Sequence, residues 1–190
     1  MAIRLLVLAV LLAALPLRAA EVAGVKLEDR TRVGNAELVL NGAGLRKRFV
    51  FQVYAIGLYL AEKKTAAAEA IAAAGPKRIA MHMLRDLNAA EFGEALTAGL
   101  RANHDDAAMQ ALEPRIAQLA AIMDELKEAR KGMAIVLDLQ PGAGTVVSVD
   151  GKARGQPIAG DDFARALLRI WLGDKPVQDD LKRALLGQPL

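Results

Sequence analysis

Phe49-Val50-Phe51-Gln52-Val53-Tyr54-Ala55-Ile56-Gly57-Leu58-Tyr59-Leu60 is dense in aromatic and β-branched side chains, a composition that reads as a long strand. Just ahead of it, residues 36–41 alternate in polarity and lead into Asn41-Gly42-Ala43-Gly44, which carries a turn signal. The expectation is therefore a strand, a tight turn at 41–44 and a long strand over 49–60. Tyr54 and Tyr59 are five positions apart in that strand. An odd separation sends them to opposite faces.

Downstream, the alanine-rich residues 62–74 read as a helix stopped by Gly75-Pro76, and residues 77–84 resume alternation as a third strand. Phe92, Leu96 and Leu100 follow at four-residue steps, which places them on one helical face. A further helix is expected over 106–131, with Gly132 as its cap. Residues 134–139 and 145–149 read as a hairpin across Gln140-Pro141-Gly142-Ala143-Gly144, and Asp150-Gly151 is another turn signal. Helices over 161–172 and 178–186 close the chain. Strands grouped around blocks of helices, without regular βαβ alternation, predict an α+β fold: a mainly antiparallel sheet with a helical layer on one face. The sheet–helix interface is where such a fold opens an apolar pocket.

The chain has 190 residues and is 54% hydrophobic, enough for one buried core and short for two. Met1 to Arg4 give a cationic start, and residues 5–17 form an apolar run of 13 before Arg18-Ala19-Ala20. That layout predicts a signal peptide over 1–20, a domain over 21–190 and a periplasmic or secreted protein. The run is too short to span a bilayer, which takes about 20 apolar residues. No stable membrane span is expected after cleavage, and an uncleaved anchor is the alternative. N-terminal sequencing of the mature protein is expected to begin near Glu21; an intact Met1 on membrane-bound protein would contradict this.

Removing the leader takes the net charge from +3 to +1, with 23 basic against 22 acidic residues. The basic residues are scattered among acids, so no nucleic-acid partner is expected. Cysteine is absent, which removes thiolate chemistry, disulfides and cysteine metal sites. His82 and His104, the only two histidines, lack the four-residue spacing of helical zinc motifs. No metal and no cofactor are expected.

Gly42-Ala43-Gly44 opens like a dinucleotide-binding fingerprint, but Lys47 stands where the third glycine belongs and a strand follows. The phosphate reading fails, and the glycines are assigned to the turn. By spacing alone Arg46-Lys47-Arg48 reads as a solvated turn rather than an anion site. Trp171, at the end of an amphipathic helix, reads as core rather than as a ligand platform. The pairs Asp105-Asp106, Asp161-Asp162 and Asp179-Asp180 fall at helix starts, where capping accounts for them.

The string Leu40-Asn41-Gly42-Ala43-Gly44-Leu45-Arg46, followed by Phe51 to Leu60, resembles the opening strand pair of chalcone isomerase-like proteins. Leu87 to Leu96 is similar to that family's middle helix. Ala166 to Gly173 and Leu181 to Leu186 resemble its last two helices. The resemblance implies that Arg46 matches the arginine which, in the plant enzymes, stabilises developing charge on the enone. It also implies that Tyr54, Phe92, Gly99 and Ile170 occupy positions held there by a threonine, a tyrosine, an asparagine and a second threonine. Three polar groups have thus become a phenyl ring, a hydrogen and an alkyl chain, and loss of one positioned donor costs about 10² to 10⁴-fold in rate.

No catalytic residue is therefore assigned. Arg46 and Tyr54 resemble the carboxylate clamp of the family's fatty-acid-binding members, which implies a ligand site comprising Arg46, Tyr54, Phe92, Gly99, Ile170 and Trp171. The leading expectation is a non-catalytic protein binding a fatty acid or another small amphipathic ligand. An interaction or structural role with a vestigial pocket, and an isomerase (an intramolecular lyase) acting on an enone-like substrate, are the alternatives. A binder needs a cavity of at least about 300 Å³ opening at Arg46.

Overall fold

A computed structural model describes residues 20–189 of the chain. Three short strands come first: β1 (Ala20–Val22), β2 (Val25–Leu27) and β3 (Arg30–Val33). The long pair β4 (Ala36–Arg48) and β5 (Phe51–Leu60) follows, then helix α1 (Ala67–Ala72) and strand β6 (Lys77–Met83). β7 (Leu87–Asn88) leads into helices α2 (Ala89–Ala102) and α3 (Asp106–Leu126), and β8 (Glu128–Ala129) returns to pair with β7. β9 (Ala134–Gln140), β10 (Gly144–Val149) and β11 (Lys152–Ile158) form a meander before α4 (Asp161–Leu172) and α5 (Asp179–Leu185). Seven strands make one sheet in the order β11-β10-β9-β6-β5-β4-β3, antiparallel at every step.

The expected α+β architecture is present, with the helices layered on one sheet face over a core that includes Ile56, Leu58, Met81, Leu100, Phe163 and Trp171. The opposite face carries a second, smaller cluster, Leu27, Val33, Leu38, Leu40, Tyr59 and Ala80, to which the β1–β2 hairpin contributes Leu27. Tyr54 lies in the first cluster and Tyr59 in the second, as their odd spacing requires. On the smaller face Arg78 grips Asp138 with two hydrogen bonds of 2.6 and 2.8 Å across the β6–β9 pair. No helix among the described residues is long and apolar enough to cross a membrane. The expected leader, residues 1–20, lies outside the described residues except for Ala20, which already pairs with Leu27.

The turn expected at 41–44 is not there. β4 runs on to Arg48, and the chain reverses at Phe49-Val50, with Arg48 paired to Phe51; β5 accordingly starts at Phe51. Gly42 and Gly44 serve close approach instead. A Cβ on Gly42 would lie 2.1 Å from the carbonyl oxygen of Ala184, and one on Gly44 2.6 Å from a Leu181 methyl. Bare backbone here is what lets α5 lie against the strand.

The Asn41-Gly42 step has a different task, a β-bulge. Leu40 pairs with Tyr59 but Gly42 with Leu58, leaving Asn41 as the extra residue. Such a bulge flips the alternation that follows it. Leu38 and Leu40 face the smaller cluster, whereas Gly42 and Gly44 face α5 on the other side. Asn41 is 4% exposed and fully engaged: Nδ2 donates to the carbonyls of Lys64 and Leu185, and Oδ1 accepts from the Lys64 amide. Two of those bonds take up the backbone N–H and C=O of Lys64, keeping that residue out of a helical hydrogen-bond ladder, and α1 covers only 67–72 of the 62–74 expected.

Two further boundaries differ. α3 ends at Leu126, because Lys127 takes a left-handed φ of 60° and Glu128–Ala129 leave to pair with β7. Gly132 therefore does not cap α3; at φ 87° it serves a turn closed by the Met133 amide on the Arg130 carbonyl. β11, whose residues Lys152 to Pro157 are all exposed, is an edge strand that polarity concealed.

Candidate functional site

The consequence of the Asn41 bulge reaches five residues further along β4, where Arg46 pairs with Tyr54 on the helix-bearing side of the sheet. A second register shift follows, since Lys47 pairs with Gln52 and Val53 is the extra residue. Consecutive residues Val53 and Tyr54 thereby line the same space. α2 closes over them, started by Asn88, whose side chain accepts from the Ala90 amide at 2.9 Å. Its Phe92 and Leu96 point down at the sheet, and Ile170 of α4 and Val177 of the α4–α5 connection complete the wall.

The cavity, open to solvent on one side, measures about 320 Å³. Its floor is made of buried side chains: Val53, Tyr54, Phe92, Leu96 and Ile170. The rim is made of exposed ones: Arg48, Phe49, Phe51, Arg85 and Glu91. Arg46 is half-buried between the two. Three guanidinium groups against one carboxylate give the opening a positive bias.

Tyr54 is fully buried, and its hydroxyl accepts a 3.0 Å hydrogen bond from Trp171 Nε1. The phenol proton is thus left to be donated elsewhere. Burial pushes the phenol pKa up, and the Trp171 hydrogen bond and the Arg46 charge only partly oppose it. Tyr54 is held neutral, as a donor rather than a base. The Phe92 ring stands edge-on to it, centroids 6.3 Å apart at 80°.

Arg46 is braced by α5. Its Nη1 donates to Gln178 Oε1 at 3.2 Å and to the Lys47 carbonyl at 2.6 Å. The same Gln178 oxygen accepts from the Lys47 amide at 2.8 Å, and its Nε2 donates to the Leu45 carbonyl at 3.1 Å. Among the described residues no carboxylate forms an ion pair with Arg46. Lys47, the next residue, is exposed and takes no part in the lining.

Of the six residues expected at the site, Arg46, Tyr54, Phe92 and Ile170 come together around this cavity, while Gly99 and Trp171 lie outside its lining. Both of the latter act from behind. A Cβ on Gly99 would come within 2.7 Å of an Ile170 methyl, so the glycine lets α4 seat that side chain. Trp171, fully buried, holds the Tyr54 hydroxyl. Arg48, Arg85 and Gln178 were not anticipated. Continuing β4 past the glycines would have put Arg46 and Arg48 on one face by period two; no local pattern announces Arg85 or Gln178. His82 is half-buried in β6, where burial lowers its pKa, and among the described residues no three metal-ligating side chains cluster.

Known proteins give the same answer about ancestry. No curated protein matches the chain in sequence. In three dimensions it is similar to the crystal structure of an Arabidopsis thaliana fatty-acid binding protein, with a TM-score of 0.65, 17% identity and coverage of 86% of this chain and 92% of that one. At that identity the likeness speaks for the fold. The sequence pattern of chalcone isomerase-like proteins matches residues 19–187, nearly the whole length. By that match the chain belongs to the chalcone isomerase-like family.

Proposed function

We propose that this protein is exported and non-catalytic, and that it binds a fatty acid or similar amphipathic carboxylate. The observation that carries the reading is the pairing of half-buried Arg46 with buried Tyr54 in the lining of one apolar cavity. A guanidinium and a neutral phenol are both donors, suited to the two oxygens of a carboxylate. Around them Phe92, Leu96 and Ile170 offer only hydrocarbon, suited to an acyl tail.

Three considerations support it over the alternatives. The cavity of about 320 Å³ falls within the range of small-molecule sites, and its apolar floor with two hydrogen-bond donors in the lining is what a purely structural role leaves unexplained. An isomerase needs a group to move a proton. The one buried phenol in the lining has its pKa raised, away from that task, and the lining's one carboxylate, Glu91, lies on the exposed rim. The Arabidopsis relative in fold is a fatty-acid binding protein.

Native mass spectrometry of the protein purified from its own cells tests the reading. The expected result is a retained adduct with the mass of a fatty acid, released on unfolding. An unliganded protein that also fails to take up added fatty acid would refute it.

A further inference from the structure

We infer that the tip of the β4–β5 hairpin, beside the cavity mouth, is a docking surface for an anionic phospholipid bilayer. Among the described residues, Phe49, Val50 and Phe51 are the three large hydrophobic residues that stand out into solvent, at 89, 87 and 55% exposure. Scattered exposed apolar residues are ordinary; three in a row at a hairpin tip are not. Phe49 also occupies the first position of a two-residue loop with φ 55°, a left-handed conformation that favours glycine or asparagine. Neither solubility nor turn geometry accounts for a phenylalanine there.

The surroundings select the partner. Lys47 and Arg48 are exposed on the same tip, Arg46 stands behind them, and Arg85 lies 4.7 Å over the Phe51 ring. The acids near this group are Glu91 on the cavity rim, Asp180, which feels the Lys47 charge, and Asp86, next in sequence to Arg85, which accepts from the Lys131 amide. Apolar side chains ringed by cations match the interfacial region of a negatively charged membrane, with rings among the acyl chains and cations among the phosphates. Phe49 and Phe51 also line the cavity, so docking would set the opening against the bilayer.

The surface is tested by cosedimentation of ligand-stripped protein with phosphatidylglycerol-containing vesicles and with pure phosphatidylcholine vesicles. Wild type is expected to bind the anionic vesicles at least tenfold better, with binding that weakens as salt rises. Phe49→Gly with Val50→Ser supplies a turn sequence that suits the loop. That variant should melt no lower than wild type yet bind the vesicles at least about tenfold less, because its apolar anchors are gone. Lys47→Glu with Arg48→Glu keeps the anchors and should also lose at least about tenfold, each cation near an anionic surface being worth roughly fivefold. Undiminished binding by either variant, or equal binding to both vesicle types, would overturn the surface. So would concentration-dependent self-association that the Gly-Ser variant abolishes without any vesicle binding; a second copy of the chain would then cover the tip. Vesicle binding by a protein with no affinity for free fatty acid would uphold this surface and sink the ligand reading.

Discussion

Gly42→Val should destabilise the protein by about 3 kcal/mol or more, the upper end of the range for overpacking. The new side chain would begin 2.1 Å from one backbone oxygen of α5 and 2.6 Å from the next. Backbone cannot rotate away as a side chain tip does, so α5 itself must lift. Lifting it breaks the hydrogen bond from Asn41 to the Leu185 carbonyl and shifts Gln178, which braces Arg46. At roughly 2 to 4 °C per kcal/mol for a domain of this size, the melting temperature should fall by about 6 to 12 °C. Gly93→Ala is the matched control. Its Cβ would meet only Met123, at an ordinary 3.8 Å, in the interior of α2. There the smaller unfolded-state entropy of alanine should leave stability unchanged or raise it by up to about 1 kcal/mol. A Gly42→Val melt coinciding with wild type would mean that α5 is not seated on β4 as described.

That glycine also shows where sequence reading reached its limit. Gly42 and Gly44 carry the same letters whether they make a turn or admit a helix, and the helix that needs them arrives about 140 residues later in the chain. Local chemistry favoured the turn; tertiary packing decided otherwise. Phe49-Val50 hid the true reversal for the converse reason, since neither residue belongs to the usual turn set. β11 was invisible because an exposed edge strand lacks the alternation that betrays a half-buried one.

What was legible rested on periodicity sustained by burial. The opposite facing of Tyr54 and Tyr59, the α2 face of Phe92, Leu96 and Leu100, and the last two helices all follow from it. Arg46 was found by resemblance rather than by spacing, which had favoured a solvated turn. The structure supplies the physical cause that spacing lacked, namely the bulge at Asn41 that turns β4 over. Gln178 and Arg85 reach the site only through the fold, and nothing in their neighbourhoods marks them.

The central claim is that a carboxylate sits between Arg46 and Tyr54, and Arg46→Ala tests it most directly. A hydrogen bond to a charged partner contributes about 1.5 to 3 kcal/mol, equivalent to roughly 10 to 150-fold in affinity. The measurement is a titration of ligand-stripped protein with a fatty acid and with its methyl ester, in wild type, Arg46→Ala and Lys47→Ala. Wild type should prefer the acid, and Arg46→Ala should lose that factor for the acid while binding the ester almost as before. Lys47→Ala, altered at an exposed position outside the cavity lining, should resemble wild type for both. Equal losses for acid and ester in Arg46→Ala, or equal effects of the two substitutions, would contradict the account, because Arg46 would then act through folding or general surface charge.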